Sequence, residues 1–184
     1  MNKLLVLAGA LALAGLSTSA MAQGGFVRVE AGRSHTSVDI DGIGNGSDND
    51  AAWSVRGGYY FNPNIAVEGF YTRAYDKSFN DGVDTASLKA TAIGLGVVGK
   101  KNFDADNLGF FVDGRVGITR GKLDASLNGE SGSDTSTKLY YGVGAGYDFT
   151  KAFGLSLNVD RLHGAGEGVD VKSNVVTLGA EFRF

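Results

Sequence analysis

The stretch AAWSVRGGYYF, residues 51–61, decides how the rest of the chain is read. Trp53, Val55, Gly57, Tyr59 and Phe61 fall on one set of alternating positions, and Ser54, Arg56, Gly58 and Tyr60 on the other. Successive side chains of an extended strand point to opposite faces, so this period of two makes a ribbon with one greasy and one polar face. From Gly24 onward the alternation recurs, and no segment repeats apolar residues at the i, i+3, i+4, i+7 spacing of an amphipathic helix. The chain is expected to be all-β.

Eight segments show the split, at residues 25–34, 51–61, 65–75, 87–99, 108–120, 137–149, 153–162 and 172–184. Each has about the ten residues that a tilted strand needs to cross a bilayer. The connections 62–64, 100–107 and 150–152 are mostly short, whereas 36–50, 76–86, 121–136 and 163–171 are longer and rich in Gly, Ser, Asn and Asp. Strict alternation of long and short connections, with both termini at the short end, describes an eight-stranded antiparallel up-and-down barrel.

A soluble ligand-carrying barrel or a β-sandwich would alternate in the same way, so the position of bulk has to decide. The greasy rows carry Trp53, Tyr59, Phe61, Tyr71, Phe110, Tyr141, Tyr147, Phe149, Phe153, Phe182 and Phe184, while the polar rows carry Gly58, Gly109, Gly117, Gly142, Gly144, Gly146, Gly154 and Gly179. Eight strands enclose barely enough room for their own side chains, so the row of small residues belongs inside. The greasy rows then face outward, into lipid: a transmembrane β-barrel. Phe61, Phe103, Phe110, Tyr147, Phe149, Phe153, Phe182 and Phe184 lie toward the short turns, and Trp53, Tyr71, Tyr75, Phe79 and Tyr141 toward the long loops, the pattern of two aromatic girdles.

The chain has 184 residues, a formal net charge of -3 and no cysteine. Lys3, the apolar run Leu4 to Leu16 and the small-x-small site Ala20-Met21-Ala22 mark residues 1–22 as a secretory signal peptide, leaving 23–184 as the barrel domain. Without cysteine there is no disulfide scaffold, thiolate metal site or thiol nucleophile. The acidic balance, with Lys and Arg scattered, excludes nucleic acid as a partner.

The runs GGYYFNPNIAVEGFYTRA (57–74) and LKATAIGLGVVGK (88–100), the hairpin GVGAGYDFTK (142–151) and the ending LGAEFRF (178–184) together resemble the OmpA-type transmembrane domain, with the small OmpX/Ail-like surface barrels as near relatives. The likeness covers the mature chain and is to the barrel alone. It implies the outer membrane of a Gram-negative bacterium, extracellular loops and periplasmic termini. It also implies an envelope-structural or surface-interaction role, in adhesion or resistance to host defences. Implied partners are outer-membrane lipid and lipopolysaccharide, the barrel-assembly machinery with periplasmic chaperones, and host or phage surface molecules. Val176, Leu178, Ala180, Phe182 and Phe184 resemble the C-terminal signal read during barrel assembly.

Inward positions on this reading include Arg28, Glu30, Arg56, Glu68, Asp113, Arg115, Lys138, Asp148, Asp160, Glu181 and Arg183, five basic and six acidic. Buried charge is tolerable only when paired, so near balance predicts an ion-pair network that plugs the lumen. The alternative is a narrow gated pore for small solutes. In the family a buried Glu on the third strand, matched by Glu68, belongs to a charge cluster linked to gating, but its partner positions fall near Val98, Gly146 and Ser156 here.

Three further motifs carry little chemistry. Gly94, Gly96 and Gly99 spell G-x-G-x-x-G, with Asp113 following, but a dinucleotide turn needs a helix starting inside it, and another alternating strand follows. Gly94 and Gly96 are expected to point inward as space in the wall. Lys89 is then outward, unless a bulge near Ala92 resets the phase. The segment 39–50 departs from a calcium loop in its Gly position and its final Asp. His35 and Ser37 share a face, reminiscent of lipid A-modifying hydrolases, with Asp39 continuing the row; His163 follows Asp160 at a strand end. No catalytic, cofactor-binding or metal-ligating residue is assigned. Twelve acidic residues in the long connections stand against Lys77, Lys122 and Lys172.

If the C-terminal row is an assembly signal, Phe184→Asp lowers the membrane level of the barrel while export to the periplasm continues. Quantitative immunoblotting of outer-membrane and periplasmic fractions tests this, and a normal membrane level refutes it.

Overall fold

Alternating strands long enough to cross a bilayer leave no solvent for an open edge, so the sheet has to close on itself. The computed structural model describes residues 24–40, 44–80, 85–104, 106–127, 130–166 and 169–184, and in it the sheet is a closed barrel. The strands are β1 (Gly25–Ile40), β2 (Gly44–Asn62), β3 (Ile65–Asn80), β4 (Thr85–Asn102), β5 (Gly109–Leu127), β6 (Glu130–Thr150), β7 (Phe153–Gly166) and β8 (Val169–Arg183). Each pairs antiparallel with the next, and β8 returns to β1 from Phe26 opposite Arg183 to Ile40 opposite Val169. Residues 1–22, read as a signal peptide, lie outside the described residues.

The short turns are tied to their neighbours. Asn64, after Pro63, donates from Nδ2 to the Lys100 carbonyl at 2.8 Å and accepts from the Lys100 amide at 2.7 Å. Asn107 and Gly109 both have positive φ, 55° and 75°, in the β4–β5 connection, where Asn and Gly tolerate the left-handed region.

The long connections differ from expectation. Most of their residues are strand: β1 and β2 stay paired from Thr36 opposite Asp48 to Ile40 opposite Gly44, and β5 and β6 from Gly121 opposite Ser136 to Leu127 opposite Glu130. Likewise β3 and β4 pair as far as Asn80 opposite Thr85, and β7 and β8 as far as Gly166 opposite Val169. Above the lipid band both faces of a sheet meet water, so the alternation that marks a strand fades while backbone pairing continues. The 39–50 segment is therefore largely hairpin, with residues 41–43 outside the described part.

The phase of β4 is also fixed. Its ladder with β5 runs without a shift, and the irregularity lies in β3, where Ala74 is bypassed between Arg73 opposite Thr91 and Tyr75 opposite Ala90. Lys89 therefore shares the outward row with Ile93, and both are exposed; no bulge sits at Ala92.

Outward rows are apolar and exposed, Leu95 by 67%, Phe110 by 69% and Leu178 by 62%, exposure that makes sense only against lipid. Rings of Phe110, Tyr147, Phe149, Phe153 and Phe182 form a continuous chain across β5 to β8 at the turn end, with successive centroids 5.0 to 5.9 Å apart. Trp53 meets Tyr71 at 5.4 Å toward the hairpin end. The side chains of Tyr75 and Phe79 lie outside the described residues.

The inward rows are not simply small. Phe26, Tyr60, Phe70, Phe111 and Tyr140 are buried inside; Tyr60 belongs to the polar row named from the sequence, and the other four are bulk that the expectation of small residues inside does not include. Glycines opposite them provide the room. A Cβ on Gly94 would stand 2.5 Å from the Phe70 ring, on Gly146 2.5 Å from the Phe111 ring and on Gly58 2.6 Å from the Phe26 ring; on Gly96 it would strike the Tyr140 hydroxyl. The G-L-G-V-V-G run is thus wall that seats two rings of the lumen.

Gly96→Val should abolish the fast-migrating folded band of unboiled protein on a denaturing gel. Gly99→Ala, where the nearest atom to the new Cβ is 3.9 Å away, should retain it. Equal behaviour of the two variants would contradict the packing described.

Candidate functional site

Inward parity brings acidic and basic residues from all eight strands to the barrel axis, where a lone charge is costly and a paired one is held rigidly. Arg56 on β2 is the hub. Its Nε donates to Glu30 Oε2 at 3.0 Å, Nη1 to Glu68 Oε1 at 2.9 Å and Nη2 to Asp160 Oδ2 at 2.8 Å, so one guanidinium ties β1, β3 and β7. Its Cζ also stands 4.6 Å from the centroid of the Phe70 ring. Arg115 on β5 reinforces the same carboxylates, with Nη1 3.1 Å from Glu30 and Nε 2.9 Å from Asp160. Tyr140 on β6 donates its hydroxyl to Glu68 Oε1 at 2.7 Å.

A second group lies toward the short turns. Arg28 donates from Nε and Nη2 to Glu181 Oε2 at 2.8 and 2.6 Å, and reaches Asp113 at 3.4 Å. Arg183 bridges Glu181 at 2.6 Å and Asp148 at 2.5 Å. Lys100 on β4 pairs with Asp148 at 2.7 Å and sits 3.8 Å from the Phe111 ring centroid. Asn102 Nδ2 donates to Asp148 at 2.8 Å. Arg28 Nη1, 3.9 Å from Glu30, joins the groups into one network of five cations and six carboxylates.

Buried apolar residues pack with the layer in two clusters. Toward the hairpins lie Ala52, Phe70, Ala74, Ala92, Tyr140, Leu162 and Val175. Toward the turns lie Phe26, Tyr60, Ala66 and Val98, with Lys100 and Asn102 nearer the turn than Val98 on β4. At about the minimum barrel width, these side chains and the charged ones fill the lumen.

Glu68 Oε2, Asp113 Oδ1, Asn158 Oδ1 and Arg115 Nη2 are buried without a protein hydrogen-bond partner. Asp113 Oδ1 and Asn158 Oδ1 both overhang Gly144, the second lying 2.6 Å from where a Cβ would stand. These atoms give the layer its few unmatched polar points.

The structure places the sequence-derived site residues unevenly. Arg28, Glu30, Arg56, Glu68, Asp113, Arg115, Asp148, Asp160, Glu181 and Arg183 meet in the network. Lys138 does not: it shares the row of Tyr140 but is exposed, on the hairpin side of Tyr140, and is in none of the described ion pairs of the layer. Lys100 takes the fifth cation's place; Lys100-Lys101-Asn102 has the composition of a turn, although parity with Gly94, Gly96 and Val98 marks it as inward. Of the family's gate positions, Val98 packs with Phe26, Tyr60 and Ala66, Gly146 seats Phe111, and Ser156 accepts from Asn158 at 3.0 Å; Glu68 is held by Arg56 and Tyr140 instead.

His35 is exposed, with Nδ1 3.0 Å from Asn49 Oδ1 across the β1–β2 ladder. The side chains of Asp39 and His163 lie outside the described residues. Val176, Leu178, Phe182 and Phe184 form one exposed row, and the Phe184 backbone exchanges hydrogen bonds with Gly25 at 2.9 and 3.0 Å.

Residues 8–184 match the family model described as "Outer membrane protein beta-barrel domain". Ail, the attachment invasion locus protein of Yersinia pestis, solved in complex with the heparin analogue sucrose octasulfate, is similar at 23% identity and a TM-score of 0.59, over 87% of this chain and 99% of that one. Neisserial surface protein A is similar at 18% identity and a TM-score of 0.69, over 87% and 97%. The outer membrane protein OprG from Pseudomonas aeruginosa is similar at 16% identity and a TM-score of 0.56, over 87% and 97%. No curated protein matches in sequence.

Arg56→Ala leaves Glu30, Glu68 and Asp160 short of a buried partner and should lower stability by about 3 to 5 kcal/mol. Lys138→Ala should change it by less than about 0.5 kcal/mol. Urea unfolding of the refolded chain in detergent, followed by tryptophan fluorescence and gel mobility, measures both; equal losses would refute the hub.

Proposed function

The chain belongs to the outer membrane protein beta-barrel domain family, and from that premise we propose that it is a surface-interaction protein whose sealed barrel is a pedestal for paired hairpins held outside the cell. One observation carries this reading: the strands continue well past the last apolar rows, with β5 and β6 paired for six further residues beyond Gly121 opposite Ser136. A barrel built only to span lipid has no use for such a polar palisade. The short turns are then periplasmic and the hairpins extracellular, the usual arrangement of bacterial barrels.

The palisade is acidic, with twelve carboxylates in the sequence of the long connections. A sulfated ligand of the kind Ail was solved with suits that surface poorly, since like charges repel at close range. The partner that fits is a neutral or cationic surface, or an anionic one bridged by divalent cations. The pore reading is disfavoured by the buried side chains that fill the lumen, and the hydrolase reading by the hydrogen bond of His35 Nδ1 with Asn49.

Removing Ser37–Ser47 and Leu123–Asp134, whose ends are directly opposite one another in the ladders, shortens two hairpins without disturbing the register below. The variant should keep its heat-modifiable mobility and lose most adhesion of expressing cells to host cells or matrix. Unchanged adhesion would refute the reading. Steady conductance of the wild-type chain in planar bilayers, lost in Glu68→Ala, would favour the pore.

A further inference from the structure

The inward row of β6 runs Tyr140, Gly142, Gly144, Gly146 and Asp148, so its middle crosses the charged layer without a side chain. Groups from β5 and β7 lean over it instead. Asp113 on β5 lies opposite Gly144, and Gly144 lies opposite Asn158 on β7. From the point where a Gly144 Cβ would stand, Asp113 Oδ1 is 2.4 Å away and Asn158 Oδ1 2.6 Å away. These two acceptors are therefore no more than about 5 Å apart, and among the described residues neither has a donor. Both side chains are buried, Asn158 completely. Its Nδ2 donates to Ser156 Oγ at 3.0 Å, beside Gly179, and leaves Oδ1 for the Gly144 side. Opposite Asn158 stands Thr177, whose buried hydroxyl is likewise without a partner among the described residues.

Charge balance says what belongs between the two oxygens. The network sets five cations against six carboxylates, so one negative charge in the lumen lacks a counterpart. Asp113 is the carboxylate of the layer held most loosely. Arg28 reaches it at 3.4 Å while placing Nε and Nη2 on Glu181 at 2.8 and 2.6 Å. Lys100, opposite Asp113 in the ladder, turns its Nζ to Asp148 at 2.7 Å. A water molecule can donate to both oxygens, but it leaves the charge uncompensated where bulk solvent does not reach, which is costly. A cation that takes oxygen ligands supplies the charge and the coordination together. A divalent ion would overshoot the balance, and among the described residues no three His, Cys, Asp or Glu side chains converge as such an ion asks.

We propose that Asp113 and Asn158 bind one small monovalent cation, sodium or potassium, inside the lumen over Gly144. The ion brings the network to neutrality and ties β5 to β7 across a strand that offers no side chain at that level. This goes beyond the surface-interaction reading, since it uses nothing about what the hairpins bind.

The test uses the chain refolded in non-ionic detergent with sodium, potassium or N-methylglucamine chloride at equal ionic strength and pH, the last cation being too large for the site. Folding is checked by heat-modifiable mobility, and urea midpoints are read from the fluorescence of Trp53, the single tryptophan. Sodium or potassium should raise the midpoint above that in N-methylglucamine by at least about 0.5 M. Chain refolded in the favoured ion and desalted into N-methylglucamine chloride should retain one such ion, measured by atomic emission. Asp113→Asn, which leaves five cations and five carboxylates, should retain none and have the same midpoint in all three salts. Equal wild-type midpoints, or no retained ion, overturn the proposal whether or not the variant folds; a proton on Asp113, or an Asn158 amide turned the other way, then serves instead. A salt effect that persists in folded Asp113→Asn overturns it too. Both measurements are made without cells, so the adhesion assay decides the surface-interaction reading separately.

Discussion

The Arg56 guanidinium, shared among Glu30, Glu68 and Asp160, is the constraint around which the rest of the barrel is arranged. Hydrophobic burial cannot tell the two faces of this sheet apart, because the solvent outside is as apolar as any core. A slip of one residue in pairing would exchange the faces and aim Arg28, Arg56 and Arg115 into lipid. Each would then face the full cost of charge in hydrocarbon, several kcal/mol together. The charge layer therefore acts mainly on register: it makes one alignment of the strands tolerable and its neighbours intolerable. Its net contribution to stability is a separate matter, since a buried ion pair often does little better than well-packed apolar groups.

The apolar clusters pack against the layer. Ion pairs of this kind hold their geometry best where water does not compete, and Phe70 with Tyr140 on one side and Phe26 with Tyr60 on the other bring rings against the charged groups. Rings of that size fit an eight-stranded lumen only where the facing wall has no side chain, which accounts for Gly94 and Gly96 beneath Phe70 and Tyr140, and Gly58 beneath Phe26. Glycine position, ring position and charge pairing are three views of one packing problem.

Strand number, closure and the outward direction of the greasy rows were legible in the sequence because they depend on parity, on the alternation of connection lengths and on which row carries the bulk. Height along the barrel was not, since parity assigns a face and says nothing about depth. Lys138 and Tyr140 share a row, yet one is exposed and the other is buried in the apolar cluster. Lys100 was lost for a related reason: a strand end rich in Lys and Asn has the composition of a turn, and only the ladder to Asp113 and Asn102's pairing with Phe111 show that β4 continues. The hairpin extensions escaped because a sheet in water on both faces keeps its hydrogen bonds and drops its alternation. The inward rings were hidden behind the glycines that receive them.

Reading charge by height yields a layered molecule. Balanced charge fills the lumen, cations lie where the outward apolar rows end, and the sequence of the hairpins above is acidic. Interchanging the upper two layers would be unfavourable in the proposed orientation: carboxylates at the headgroup level would repel lipid phosphates, and a basic palisade above would draw the hairpins down onto the anionic leaflet. In the proposed orientation, cations at the base would attract the headgroups and carboxylates above would be repelled by them, keeping the acidic segments off the leaflet. That separation is what a surface-interaction role requires of a pedestal this narrow, and it depends on the sign of the charge at each level more than on the identity of any one loop residue.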